Sequence, residues 1–196
     1  MPKKTEAASA RDRILEVADK LFYREGIRAI GVDTIIAKSK VAKTTLYRHF
    51  PSKDDLVVAY LEERNRRFWV LFEEAVNLYS TPKKQLQAVF EWLDELMAKP
   101  DCYGCPFLAT TTEFPELDYP GHQVAIAHKR AVCDRLSALS ELAGASNAVE
   151  LGTHLLLLID GAFAQRRLFG SGGSGVQLKM IAATLINAHL WSNTRK

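Results

Sequence analysis

The segment from residue 31 to residue 56 restricts the fold of this 196-residue chain more than any other part of it. It reads GVDTIIAKSKVAKTTLYRHFPSKDDL and contains two short helical patterns separated by a tight turn. Five apolar residues in it have the spacing of a small common core, namely Ile35, Ile36, Val41, Leu46 and Phe50. This spacing predicts a helix-turn-helix, in which two short helices share one apolar core.

The second of these helices carries hydroxyl groups, an aromatic ring and cations between its apolar positions. These residues are Lys43, Thr44, Thr45, Tyr47, Arg48 and His49. Side chains of this kind suit the phosphates and base edges of a DNA groove better than a protein interior. Pro51 ends the helix, and Ser52 with Asp55 forms a capping box for the next helix, whose N-terminal amides and Lys53 can face a phosphate.

Residues 41–53, VAKTTLYRHFPSK, resemble the DNA-binding region of tetracycline-repressor-type (TetR family) transcription regulators. Two positions depart from the usual pattern of that family. Lys40 stands where the turn usually carries glycine, and Ala42 stands where a capping serine is usual. A lysine in the left-handed conformation costs about 1 kcal/mol relative to glycine. A missing hydroxyl cap costs about the same.

We predict the DNA contacts of the chain from these residue types. The predicted phosphate contacts are Thr34, Lys43, Tyr47 and Lys53, and the predicted base contacts are Thr44, Thr45, Arg48 and His49. Arg48 suits guanine, and the threonine methyl groups suit thymine. Residues 1–55 hold 12 Lys or Arg and 8 Asp or Glu, whereas the remaining residues hold 14 and 15. The positive excess therefore lies with the helix-turn-helix, as phosphate binding requires.

Helical patterns continue along the rest of the chain, and strand patterns are nearly absent. A capping box at Ser9 and Asp12 begins the first helix, and Gly26 ends it. The helices predicted after the motif cover residues 52–79, 82–100, a short stretch within 101–121, then 122–142, 148–169 and 176–193. We expect an all-α fold of about nine helices, as the resemblance also implies. It would comprise a flexible arm (1–8), a three-helix helix-turn-helix DNA-binding domain (9–56) and a helical domain for effector binding and dimerisation (57–196).

The predicted helix over residues 148–169 is apolar nearly all round. A helix without a polar face must be covered on both sides, so one side needs a partner. In the resembling family the last two helices pair with their symmetry mates as a four-helix bundle. We therefore expect a homodimer with twofold symmetry. Asp160 and His154 are interpreted as polar residues that fix the register of this interface.

Aromatic residues outside the motif belong mostly to the core, but a subset can line an apolar pocket with a few polar anchors. The predicted effector contacts are Trp69, Phe72, Trp92, Cys105, Phe107, His128, Phe163 and Arg166. For His128 and Arg166 a purely structural role is supported equally well.

Three motifs in the sequence resemble sites of other kinds. Residues 170–175 match G-x-G-x-x-G, but a dinucleotide site needs a strand before it, and here a helix is predicted. Cys102 and Cys105 with His122 and His128 have the composition of a zinc site, but the two histidines are six residues apart and point to different sides of a helix. The Cys102–Cys105 spacing is also typical of a thiol-redox motif, which likewise needs a preceding strand. We expect no metal and no cofactor.

The sequence carries no arrangement of residues typical of an enzyme. No apolar run approaches the about 18 residues of a membrane span, and the N-terminus lacks the apolar region of a secretory signal. Three cysteines without such a signal indicate a reducing cytoplasm. We expect a cytoplasmic regulator, most consistent with a repressor, whose partners are a DNA operator, a small apolar or aromatic effector and a second copy of the chain. The alternative is a thiol-dependent redox sensor or enzyme that uses Cys102 and Cys105.

Overall fold

Every regular element in the described part of the chain is an α-helix. The computed structural model describes residues 9–170 and 177–191. The helices in these ranges are α1 (Ala10–Glu25), α2 (Val32–Ser39), α3 (Lys43–His49), α4 (Lys53–Asn77), α5 (Pro82–Ala98), α6 (Pro106–Glu113), α7 (Pro120–Leu142), α8 (Ala148–Phe169) and α9 (Leu178–Trp191). The all-α fold class is thereby confirmed. The predicted arm (1–8) and residues 171–175 of the glycine-rich loop lie outside the described residues.

The ends of the helices follow local sequence signals. Both predicted capping boxes are present: Ser9 Oγ accepts from the Asp12 amide at 3.1 Å, and Ser52 Oγ accepts from the Asp55 amide at 3.0 Å. Each carboxylate in turn accepts from the backbone amide of its serine. The helix α7 begins at Pro120, two residues before the predicted start, because proline is favourable at a first helical position.

The DNA-binding unit is formed by α1, α2, α3 and the beginning of α4. Its core contains Ile14, Ile35 and Leu46, all fully buried, and Phe22 packs edge-on against Tyr60 of α4 at 5.6 Å between ring centroids. Because α4 contributes to this core and then continues for several turns, it joins the unit rigidly to the rest of the molecule.

The turn between α2 and α3 has the geometry that the two departures from the family pattern predict. Lys40 has φ 55° and ψ 43°, which is the left-handed region. No side-chain hydrogen bond caps α3 at Ala42. The turn is therefore held by the burial of Ile35, Leu46 and Phe50 on either side of it.

In the C-terminal domain α5 and α7 pack against α4, whereas α8 packs on α7 and α9 packs on α5 and α8. Phe72 and Val76 of α4 lie in its core. The helices α7 and α8 approach closely at Gly152, where an added Cβ would lie 2.1 Å from Ser137 Oγ and 2.8 Å from the Ser137 backbone nitrogen. Only a hydrogen atom fits there, so this glycine sets the distance between the two helices. Within residues 9–170 and 177–191, none of the helices combines the length and hydropathy needed to cross a bilayer.

Candidate functional site

The predicted DNA contacts lie mainly on the exposed side of α3. Leu46 of this helix is fully buried, which turns the opposite side of α3 to solvent. Thr34, Lys43, Thr44, Tyr47 and Arg48 are exposed, and Thr45 and His49 are half-buried. Lys43 Nζ lies 3.7 Å from Asp33, but both side chains are largely exposed, so this ion pair contributes little. One short helix thus presents cations, hydroxyl groups and an aromatic ring on a single surface.

Lys53 differs from the other predicted DNA contacts, because its ammonium is bound inside the protein. Lys53 Nζ donates to the Ile27 carbonyl oxygen at 2.7 Å. Partial burial lowers the pKa of Lys53, although Glu113 and Asp54 oppose that change. An ammonium has three N–H donors, so the bond to Ile27 leaves two of them for a phosphate.

The turn between α1 and α2 is held by a carboxylate from the C-terminal domain. Glu113, at the end of α6, accepts from the Ile27 amide at 2.9 Å and from the Arg28 amide at 2.6 Å. The Arg28 guanidinium also lies over the Phe114 ring, 4.7 Å from its centroid. The end of α6 is thereby bonded directly to the turn between α1 and α2.

Tyr23 makes a second connection between the DNA-binding unit and the C-terminal domain. Its hydroxyl donates to the Gly104 carbonyl oxygen at 2.9 Å and accepts from the Tyr103 amide at 3.0 Å. Burial raises the pKa of Tyr23, so the hydroxyl stays protonated and remains a donor. Through these bonds, α1 is tied to the loop that leads into α6.

A cavity of about 190 Å³ lies beside these connections. Five predicted effector contacts line it: Trp92, Cys105, Phe107, His128 and Phe163. The wall also includes Tyr23 of α1 and several residues of α4, so the DNA-binding unit contributes to it directly. A more open depression of about 540 Å³ lies across Cys105 and Phe163, where the exposed Arg167 and Leu168 form part of its wall.

Three predicted effector contacts, Trp69, Phe72 and Arg166, do not line this cavity. Phe72 is fully buried in the core, and its ring centroid lies 5.3 Å from that of Trp69. Arg166 donates to the carbonyl oxygens of Met97 at 2.7 Å and Lys99 at 2.9 Å. The last carbonyl groups of a helix lack partners within it, so Arg166 stabilises the end of α5.

His128 lies in the wall of the cavity as a neutral side chain. Its ring stacks on Phe107 with 3.7 Å between centroids, and its Nδ1 lies 2.7 Å from Asn65 Oδ1. Burial lowers the pKa of His128 to about 3, and the neighbouring Lys129 cation acts in the same direction. Because the Asn65 amide oxygen can only accept, Nδ1 carries the proton of the neutral ring.

The cations of the cavity wall were missed by the sequence analysis. They are Arg64, Arg67 and Lys129. A signal for the first two exists in the sequence, because Arg64, Arg67, Phe68 and Leu71 recur at the three- and four-residue spacing of one helix face. Charged residues at such a spacing are usually solvated, so only the packing of α4 distinguishes them.

The cysteines do not have the surroundings of reactive thiols. Cys102 and Cys105 are both unpaired and buried. Burial raises the pKa of the Cys105 thiol, whereas a redox-active thiol needs a lowered pKa. Among residues 9–170 and 177–191, no group of three His, Cys, Asp or Glu side chains is placed to hold a metal ion.

The two polar residues assigned to the dimer interface have different environments. Asp160 forms an ion pair with Lys129 of the same chain, so a partner within its own subunit already accounts for its charge. His154 is exposed on α8, with its ring 5.8 Å from that of His189 on α9. His154 lies beside an apolar groove of about 550 Å³ that Leu157, Leu158 and Leu185 help to line.

The sequence of this chain is similar to those of known transcriptional regulators. The family model described as "Bacterial regulatory proteins, tetR family" matches residues 14–60. An HTH-type transcriptional regulator from Staphylococcus aureus is 30% identical over 88 residues, which cover 45% of this chain and 48% of the relative. The match thus spans about half the length of that curated relative.

Solved structures match over nearly the full length. A TetR-family transcriptional regulator from Streptomyces coelicolor is 32% identical, with a TM-score of 0.84, over 93% of this chain and 95% of that one. A protein from Streptomyces avermitilis is 31% identical, with a TM-score of 0.80, over 93% and 98%.

Proposed function

This chain belongs to the TetR family of transcriptional regulators, and we propose that it acts as a homodimeric repressor in the cytoplasm that a small apolar or aromatic effector releases from DNA. One observation carries the proposal: the cavity wall contains residues of both the DNA-binding unit and the C-terminal domain. Tyr23 of α1 forms part of that wall and is bonded to the loop before α6. A ligand in the cavity therefore touches the structure that positions α3.

The proposed operator contacts follow from the exposed surface of α3. Arg48 would read guanine through its paired donors, and Thr44 and Thr45 would contact thymine methyl groups. Lys43 and Tyr47 would hold phosphates and fix the register of the protein on the duplex. His49 is proposed as a further base contact. Thr34 is proposed as a phosphate contact, and so is Lys53 through the donors that its bond to Ile27 leaves unused.

The proposed dimer uses the exposed apolar face of α8 and α9. Leu157 is 71% exposed, Met180 59% and Ile181 46%, and the groove beside Leu157 is lined almost entirely by apolar side chains. An apolar face of this extent favours association with a second copy through the same face. Two copies would then present two α3 helices to successive turns of a palindromic operator.

Selection of binding sites from random double-stranded DNA tests the operator proposal. Footprinting of the selected DNA should reveal two half-sites in inverted orientation, with centres about 34–36 Å apart. Arg48→Ala should relax preference at one base pair by about 1–3 kcal/mol, whereas Lys43→Ala should weaken binding to all sequences alike and lower the salt slope by about one. Lys83→Ala on α5 removes the same charge outside the DNA-binding unit and serves as the control. A single half-site at saturation, or identical behaviour of the Arg48 and Lys43 variants on cognate and random DNA, would contradict the proposal.

The dimer is tested by introducing a charge on its proposed face. Leu157→Glu should convert the dimer to a monomer in light scattering and weaken operator binding, because one half-site would then bind alone. Leu117→Glu is the control, since Leu117 is 68% exposed in the connection between α6 and α7. An unchanged mass for Leu157→Glu would contradict this interface.

The switch is tested by linkage between effector and operator. A coupling of about 1–3 kcal/mol would weaken operator binding about 5–150-fold, and the operator must weaken effector binding by the same factor. Phe107→Ala should abolish this response and leave operator affinity without effector nearly intact. An effector that binds free protein and operator complex equally well would contradict the proposal, because equal affinity shifts no equilibrium.

A further inference from the structure

The cavity beside α4 has an unusual charge for an apolar pocket. Three cationic side chains, Arg64, Arg67 and Lys129, form part of its wall. None of the described residues that line it is an aspartate or a glutamate. His128 in the same wall is neutral. Because charges act more strongly in surroundings of low polarity, the interior of this cavity favours an anion over a cation.

The carboxylates that balance these cations lie behind the wall. Arg64 binds Asp19 of α1 with two hydrogen bonds, Nε to Oδ1 at 2.5 Å and Nη2 to Oδ2 at 3.0 Å. Arg67 Nε lies 2.6 Å from Glu63, and its Nη1 lies 3.5 Å from Asp19. Lys129 binds Asp160. The two bonds to Asp19 use two of the five N–H donors of Arg64, so the guanidinium can bind a further carboxylate.

The rest of the wall fits an aromatic ring. Phe68, Trp92, Phe107 and Phe163 surround the space. A cavity of about 150 Å³ with an apolar lining can hold benzene. At about 190 Å³, this cavity has room for one ring with a short polar arm.

We propose that the effector is a small aromatic carboxylate whose acid group binds Arg64 and Arg67 and competes there with Asp19. This inference rests on the proposed function, since it names the ligand class of the same cavity. Asp19 is the residue of α1 that holds these two arginines, and it is 7% exposed. A second carboxylate beside it repels Asp19 and shares its partners. The ligand thereby loosens α1 from α4, and α1 carries the core on which α2 and α3 pack.

Matched single-ring ligands test the charge of the effector. The carboxylates are benzoate, phenylacetate and cinnamate, each compared with its amide, and benzyltrimethylammonium is the cationic probe. Binding to the full chain is measured by calorimetry, and operator release is measured on the same preparation. At least one carboxylate should bind about ten- to a hundredfold more tightly than its amide, as expected for hydrogen bonds to a charged group. The cation should bind most weakly.

Variants then locate the acid group. Arg64→Gln alone leaves the buried Asp19 with only the more distant Arg67 as a cationic partner, which endangers folding. The double variant Asp19→Asn with Arg64→Gln removes both charges and keeps two amides in their place. It should reduce the preference for the carboxylate over the amide, because only Arg67 and Lys129 remain as cations in the wall, whereas binding of the amide should not change. Arg66→Gln is the control, because Arg66 lies on the same helix and pairs with Glu63 but does not line the cavity.

The outcomes of these experiments distinguish a failure of the proposed anionic effector from a failure of the proposed regulatory function. Amides or the cation binding as tightly as the carboxylates would overturn the anionic effector, and so would failure of every carboxylate to bind. Retention of the full carboxylate preference in the double variant would overturn the role of Arg64. Operator binding without ligand is measured in every case. This operator affinity tests the proposed function independently of the effector. A chain that binds a palindromic operator remains a regulator whatever the charge of its effector.

Discussion

In the DNA-binding unit most of the predicted DNA contacts lie on one short helix, whereas the side chains that line the cavity come from six helices. Six of the eight predicted DNA contacts belong to α3. The cavity draws residues from α1, α4, α5, α6, α7 and α8. The cations differ as well: Lys43 is 66% exposed, whereas Arg64 and Lys129 are 21% and 19% exposed and each binds a carboxylate. A surface that reads DNA can be built locally, but an enclosed site must be assembled from distant parts of the chain.

The largest expected change in stability concerns the aromatic residues of the C-terminal domain. Some of these residues lie in the core, and others line the cavity. Phe72→Ala should lower the free energy of unfolding by about 3–5 kcal/mol, because it removes a fully buried ring. Chemical denaturation measures this change. Phe107→Ala is the comparison, since it enlarges an existing cavity and should cost less. A Phe72 variant that loses the effector response at unchanged stability would contradict the assignment of Phe72 to the core.

The close approach of α7 and α8 predicts a smaller loss. Gly152→Ala should destabilise the protein by about 1–3 kcal/mol, because the new methyl group overlaps Ser137. Gly161→Ala on the same helix has nothing of its own chain within 4 Å of the added atom, although Gly161 lines the groove of the proposed dimer. In the monomeric Leu157→Glu background it should stabilise the protein by about 0.5–1 kcal/mol. Thermal denaturation compares the two. A loss of stability from Gly161→Ala only in the chain that keeps Leu157 would mean that a partner packs tightly against that face.

The buried histidine of the cavity predicts that the stability of the protein depends on pH. The pKa of His128 is about 3 in the folded protein, whereas an unfolded histidine titrates near about 6.5. The unfolded chain therefore binds a proton that the folded chain excludes. The contribution of neutral His128 to the free energy of unfolding is fully present above about pH 6.5. It is lost as the pH falls below that value, by up to about 1.4 kcal/mol per pH unit.

The pH range from about 6.5 to 5.5 suits this measurement, because carboxylates with a pKa near about 4 stay mostly ionised there. Bonds from Arg66 and Arg67 hold the pKa of Glu63 at about 2, so its contribution is lost at still lower pH. Unfolding free energies measured across the range should be flatter for His128→Gln. His49→Gln in the DNA-binding unit should keep the slope. An unchanged slope in the His128 variant would contradict its assignment as the buried neutral group.

The smallest expected effect lies in the turn of the DNA-binding unit. Lys40→Gly relieves a left-handed lysine, and Ala42→Ser supplies the missing cap of α3. Each should raise stability by about 0.5–1 kcal/mol in denaturation experiments. If Lys40→Gly stabilises the chain yet weakens operator binding, the lysine is kept for a phosphate contact. No change in stability in either variant would mean that the turn does not limit this unit.

The sequence alone was sufficient for features that depend on neighbouring residues. The capping boxes at Ser9 and Ser52, the left-handed Lys40 and the helix Ala148–Phe169 all follow from signals within a few positions, and all are present. Five of the eight predicted effector contacts line the cavity, because aromatic residues at helical spacing face the interior. Such spacing does not predict which side of the interior a residue faces. Phe72 is therefore buried in the core and Trp69 packs against its edge, both outside the cavity wall.

Only the tertiary structure decided the charge of the cavity and its connection to α1. Asp19 and Arg64 are 45 residues apart, and Tyr23 and Gly104 are 81 apart. No local pattern links residues at such separations, since their contact depends on how whole helices pack. The same holds for Lys53, which the motif directs toward a phosphate and the fold bonds to Ile27. The periodicity and capping residues of the sequence determined where the helices lie and which side chains α3 exposes, whereas packing between helices determined what surrounds each buried charge.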